Sequence, residues 1–424
     1  MTKKWIIFAV LTALAVQLTG CSLLTLDQLY VPPRRSEDYD NIQSLIEEAM
    51  QDLTYCAPVS GDHQQAVQRA DLDGDGVDEY LLFAKDNSEM SLKILIFAQL
   101  ASGYMLMDTI EGYGFAFEFV EYIPLDDRDG LEIVVGRQVS EELARSLSVY
   151  RFTSGFSQQL LSASYTRMLA EDMDGDARKE LLLLTAGESE LGNGALQVYG
   201  YDGSVLRRTA VAGISHGVGM LQRMEAGTMA DGRTGVFITT AADETGMTLD
   251  VFVMQGDRLI NLTNGSKIPA VNKYLLYPAD INEDGIMELP EPMAISGQQF
   301  VVQWYTIDAM GAKQNMAYAY HHMVDSWYVF LEEAWMNGLS VRDADSGCRF
   351  LCNGEELFTI FALTDSNREE QSQLPGRIVL YQGDSTIYAA KLGAKAESYG
   401  ITEEILKDSF HPVRMERNTD ESGD

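Results

Sequence analysis

Three stretches of the chain set oxygen-bearing side chains at alternate positions of a nine-residue phrase, a spacing that suits a hard metal cation. The first is Asp71-Leu72-Asp73-Gly74-Asp75-Gly76-Val77-Asp78-Glu79. It returns as Asp172-Met173-Asp174-Gly175-Asp176-Ala177-Arg178-Lys179-Glu180 and as Asp280-Ile281-Asn282-Glu283-Asp284-Gly285-Ile286-Met287-Glu288. Positions 1, 3, 5 and 9 carry Asp, Asp or Asn, Asp and Glu, and position 7 (Val77, Arg178, Ile286) offers its backbone carbonyl. Calcium takes six to eight such oxygens in a flexible shell, whereas magnesium demands a small rigid octahedron and keeps several waters. Glycine at position 4 or 6 lets the loop curl, and the clustered carboxylates repel one another unless a cation sits among them. The phrases therefore predict up to three calcium ions, structural because protein fills every ligand position.

An EF-hand loop shares the first positions and differs in its later ones. It needs a bidentate acid at position 12 and a helix beyond. Here position 12 is Leu82 or Leu183 inside obvious strand sequence, and Glu291 of the third copy stands between Pro290 and Pro292, which oppose a helix.

The elements that must carry these loops are strands. Each phrase runs into a β-rich segment: Tyr80-Leu81-Leu82-Phe83, Leu181-Leu182-Leu183-Leu184, and a strand beginning at Leu289. A worn copy, Asp126 to Glu132, falls between the first two and a weaker one, Asp231 to Gly235, between the next two. The closing positions 79, 132, 180, 235 and 288 are 53, 48, 55 and 53 residues apart, one period of about fifty. Three or four strands per period make one propeller blade, and such sheets bury both faces only by stacking. The loop-then-strand arrangement resembles the calcium-binding blades of the FG-GAP and VCBS repeat families over residues 60–335. That resemblance implies a mainly β fold, a β-propeller of about five blades, with ligands at the alternate positions of the three intact loops and none in the two worn ones. Before it, residues 36–59 hold a helix capped by Ser36, with Ile42, Leu45, Ile46, Met50 and Leu53 at helical spacing. After it, residues 336–424 read as a small α+β module with a helix near Thr402 to Phe410.

At the N-terminus, Lys3 and Lys4 precede an apolar run from Trp5 to Leu18. It is short for a membrane span and is followed by Leu18-Thr19-Gly20-Cys21, the layout of a secretory signal over residues 1–20. Leu-x-Gly-Cys resembles the lipobox of bacterial lipoprotein precursors. This implies a lipid on Cys21, a tether over residues 21–35 and a location on the extracytoplasmic face of the cell membrane. Residues Leu29-Tyr30-Val31-Pro32-Pro33 with the later Leu357 to Thr364 and Ile387 to Lys391 resemble lipoproteins of the Firmicutes of unknown function. Removing residues 1–20 takes away two lysines and no acid, so the formal charge moves from -33 to -35. Such acidity excludes nucleic acid as a partner and leaves cations, surface glycans or proteins. Cys56, Cys348 and Cys352 are too few and too poorly spaced for a disulfide framework.

Nucleophile motifs are absent. His63, His216, His321, His322 and His411 are scattered, and strand alternation sends His321 and His322 to opposite faces. Trp304, Tyr305, Tyr318, Tyr320, Trp327 and Tyr328 read first as core and second as a sugar platform. The sequence therefore points to a binding or scaffolding module, and in second place to an extracytoplasmic glycan hydrolase using a carboxylate pair in a propeller pocket.

Overall fold

The structure, a computed structural model, describes residues 37–86, 91–139, 145–187, 193–241, 246–264, 271–272, 276–295, 299–344 and 347–413. Cys21, the signal and tether segments and Ser36 lie outside the described residues. No helix among the described residues is long and apolar enough to cross a membrane.

The chain is mainly β and builds six antiparallel sheets in sequence order. Sheet one holds Thr54–Tyr55, Val67–Ala70, Glu79–Asp86, Ser91–Leu100 and Gly103–Tyr113. Sheet two runs from Ala116 to Ser164, sheet three from Arg167 to Gly213, and sheet four from Leu221 to Asn261 with Val271–Asn272 added. Sheet five spans Leu289 to Leu331, and sheet six spans Leu339 to Leu392.

What stacks them is visible in one strand of each sheet. Leu81, Leu82, Phe83 and Ala84 are all fully buried, as are Ile133 to Val135 and Leu181 to Leu184. An antiparallel strand buried on both faces needs an apolar partner on each side, where a solvated sheet would alternate. The partners come in chain order. Leu81 and Phe83 pack with Ile133 and Val135 between sheets one and two. Val134 then meets Leu181 and Leu183, and Leu182 and Leu184 meet Val236 and Ile238. Phe237 packs with Leu289 and Tyr305 of sheet five, and Val329 and Leu331 join Phe350 and Phe358 of sheet six. Among the described residues no hydrophobic cluster joins sheet six back to sheet one. The free face of sheet one, Leu82 and Ala84, is covered by the helix Glu37–Ala49 through Ile42 and Ile46. Each of those two isoleucines contributes about 1.5–3 kcal/mol by its burial.

The C-terminal region is one five-stranded sheet with two short helices, Arg368–Ser372 and Glu403–Ser409, the latter capped by Thr402. The strand Phe410–Pro412 returns to pair with Trp327–Leu331 of sheet five. Cys348 and Cys352 are free and buried.

Candidate metal loops and a polar groove

The first two intact acidic phrases are hairpin connections, not only lead-ins to one strand, and the third is closed by a single bridge. The residue before position 1 pairs with the glutamate at position 9: Ala70 with Glu79, Glu171 with Glu180, Ala279 with Glu288. Position 2 is apolar and buried, as Leu72, Met173 or Ile281, and pins the loop to the core. Its N–H donates to the position 9 carboxylate, at 2.9 Å in all three loops. Position 1 is wired alike. Asp71 accepts from Gly74 N and Gly76 N at 2.8 and 3.0 Å, and Asp172 from Gly175 N and Ala177 N at 2.7 and 2.9 Å. Asp280 accepts from Asp284 N and Gly285 N at 3.0 and 2.8 Å. Position 5 accepts from the position 7 N–H at 2.8 to 2.9 Å in each copy. The chain thus folds the loop around its own carboxylates.

These bonds converge the acids. Asp71, Asp73 and Glu79 offer oxygens within 4.8 Å of one another, and so do Asp172, Asp174 and Glu180. Among the described residues no third group of three acids forms, because Asn282 takes position 3 of the third loop. Asp75 and Asp176 stand outside these two groups, and Asp176 is held by the Arg178 guanidinium through Arg178 Nε at 3.0 Å. Of Val77, Arg178 and Ile286, the backbone carbonyls remain the only ligand atoms such a site would use.

The position 9 glutamates are the fit test for a cation. Burial, partly opposed by the position 2 N–H and reinforced by the neighbouring acids, pushes Glu79, Glu180 and Glu288 up to about 7. Glu288 is fully buried, and its Oε1 has no hydrogen-bond partner. An orphaned carboxylate oxygen in a cluster of acids is a costly arrangement that a divalent cation relieves. The donor set, all hard oxygen on a flexible loop, suits calcium. A cation held there would tie the two strands of each hairpin together through its position 1, 3 and 9 ligands.

A second concavity of about 840 Å³ lies between the first strands of sheets two and three, Ala116–Ile123 and Arg167–Glu171. A β-bulge between Phe117 and Phe119 leaves Glu118 unpaired, so Glu118, Phe119 and Glu121 all line it. The Tyr165 hydroxyl donates to Glu118 Oε2 at 2.5 Å, and Arg145 lies 3.1 Å from Glu118 Oε1. Burial raises the Glu121 carboxyl above its ordinary range.

No family model matches this chain, and no curated protein does. Solved structures give faint likenesses. The rhamnogalacturonan lyase YesW is 13% identical over 69% of each chain with a TM-score of 0.32. A protein from Lactobacillus plantarum is 10% identical over 72% of this chain and 93% of its own, with a TM-score of 0.30. The exotype rhamnogalacturonan lyase YesX is 15% identical over 61% of this chain and 56% of its own, with a TM-score of 0.29. Similarity this low carries nothing about activity.

The aromatic residues resolve mostly into core. Trp304, Tyr305, Tyr320 and Trp327 are buried. His321 stacks on Tyr328 and accepts from the Trp304 indole N–H at 3.2 Å, while His322 stacks on Trp327, so the adjacent histidines serve opposite faces. Three features of the site escaped the sequence reading. They are the strand before the first loop, the strand before the second, and the apolar position 2, which was readable in the repeat.

Proposed function

We propose that this chain is an extracytoplasmic lipoprotein, anchored through Cys21, whose stacked sheets form a calcium-stiffened β-propeller that binds or scaffolds a surface partner. The observation that carries the calcium reading is the shared wiring of three acidic loops onto a buried or half-buried position 9 glutamate, two of which bring three acids together. Sheets one to five, which carry the intact or worn phrase, are the blades of that proposal, supported by the successive face-to-face clusters between them. A module of this kind presents a rigid, acidic surface, suited to a glycan or a protein bearing cationic groups. The test is a calcium titration of the soluble form beginning at residue 22, with Glu79→Gln, Glu180→Gln and Glu288→Gln each expected to remove one ion. Binding unchanged in all three sinks the calcium reading. Radiolabelled palmitate incorporation that survives Cys21→Ser contradicts the anchor.

A second reading, glycan hydrolysis, is favoured by one observation: the bulge brings Glu118 and Glu121 into one groove. Glu121, raised by burial, would serve as the general acid, and Glu118, positioned by Tyr165 and Arg145, as its partner. Loss of hydrolysis of a glycan panel in both Glu118→Gln and Glu121→Gln supports this reading, and a wild-type protein inert on every glycan counts against it.

A further inference from the structure

Sheet two keeps the hairpin but not the acids a metal needs. Position 1 is Pro124 and position 5 is Arg128. The glutamate wiring nevertheless survives: Glu132 Oε2 accepts from Leu125 N at 2.8 Å, and Ile123 pairs with Glu132. Glu132 and Asp126 are 2% and 5% exposed, so two carboxylates are buried together with no room for solvent to separate them. Into this cluster the strand Arg145–Thr153 sends Arg151, itself 7% exposed. Its guanidinium is paired with Asp126, and its Nε lies 3.5 Å from Glu132 Oε1. Arg128 closes the outer side, with Nε 3.1 Å from Asp126 Oδ2.

We propose that the second hairpin is a cation site whose resident cation is the Arg151 guanidinium, so that this sheet is held without metal. Two carboxylates face two guanidiniums, and the charge closes. The same side chain reaches sheet three, where it lies 4.6 Å over the Tyr201 ring, so it links two sheets as well as two strands of one. Sheet four meets the same need without charge. Its closing position is Gly235, and the buried Met229 covers it, with thioether atoms 2.9 Å from where a Cβ would stand. The loops thus alternate along the stack: acidic loop, guanidinium, acidic loop, thioether, acidic loop.

The inference rests on the calcium reading only for the role of the other three loops, and its test separates the two. Melts in chelator of wild type, Arg151→Met, Glu132→Gln and the double variant report on the buried pair whether or not any loop binds metal. Stripping a buried carboxylate of its partner should lower Tm by roughly 3–6 °C in Arg151→Met. Adding Glu132→Gln to it should recover at least half of that loss. A double variant that loses the sum of the two single losses, or an Arg151→Met as stable as wild type, overturns the proposal. A second measurement covers an Arg151→Met that fails to fold. Calcium titration of Asp126→Asn should show the same number of ions and the same affinity as wild type, and one ion fewer overturns the proposal.

Discussion

Replacing Glu288 by Gln should stabilise the chelated protein and destabilise the calcium-loaded one. The carboxyl is fully buried, with Oε1 unpartnered, and burial pushes it up to about 7 from an ordinary 4.5. At pH 8 without metal, keeping it ionised in the folded chain costs about 3 kcal/mol, at about 1.4 kcal/mol per pK unit. Gln removes the charge and keeps an oxygen for the Ile281 N–H, but its new amide needs an acceptor and returns about 1–3 kcal/mol of the gain. The net effect in chelator is a stabilisation of about 1 kcal/mol. In calcium at about a hundred times the dissociation constant, the intact site contributes about 2.7 kcal/mol, which the variant forfeits. With an unfolding entropy of about 2.1 cal/mol/K per residue, a chain of this size moves by about 1 °C per kcal/mol. Calorimetric melts should therefore place the variant about 1 °C above wild type in chelator and about 2 °C below it in calcium, the gain offsetting part of the lost binding. A variant that melts below wild type by the same amount in both conditions would refute the reasoning.

The same geometry fixes several other outcomes. Because Glu79, Glu180 and Glu288 are raised in the folded chain, their contribution to chelated stability is full below about 4.5 and is lost as pH rises through about 7. Calcium affinity should rise over that same window, which titrations at pH 6 and pH 8 will check. Arg178→Ala frees the Asp176 carboxylate and should tighten calcium at the second intact loop, read as a lower dissociation constant for one ion of the set. Gly74→Ala adds a Cβ at φ +78 that would stand 2.8 Å from the Asp129 carbonyl carbon and the Gly130 nitrogen, forcing the first two hairpins apart. It should cost about 2 kcal/mol or more in denaturant melts. Burial pushes His321 down to about 4, so its neutral form stabilises the fold above about 6.5 and that contribution is lost as pH falls toward 4. Tryptophan-fluorescence melts at pH 7 and pH 5 should differ more in wild type than in His321→Gln.

How much of this was legible depended on distance along the chain. The acidic loops could be read because each closes within nine residues, and the period could be read because five copies share it. The strand on the far side of each loop, such as Val67–Ala70, is short and polar in sequence, as Val-Gln-Arg-Ala, and forms because its neighbour Glu79–Asp86 offers an edge. Tertiary pairing overrides the weak local signal there. The apolar position 2 is local and recurs in Leu72, Leu125, Met173 and Ile281, yet it reads as noise until its N–H is seen to meet a glutamate seven residues on. Arg151 lies nineteen residues from Glu132, on the next strand, and only the sheet brings them together. Sheet six shares Phe350 and Phe358 with Val329 of sheet five although its sequence lacks the acidic phrase altogether. An apolar face is enough to stack a sheet.

The most direct test is isothermal calcium titration of the chain from residue 22, beside a variant with Glu79→Gln, Glu180→Gln and Glu288→Gln combined. The calcium proposal predicts up to three ions for the wild type and none at comparable affinity for the triple variant. A wild type that binds no calcium, or a triple variant that binds as the wild type does, would contradict the account.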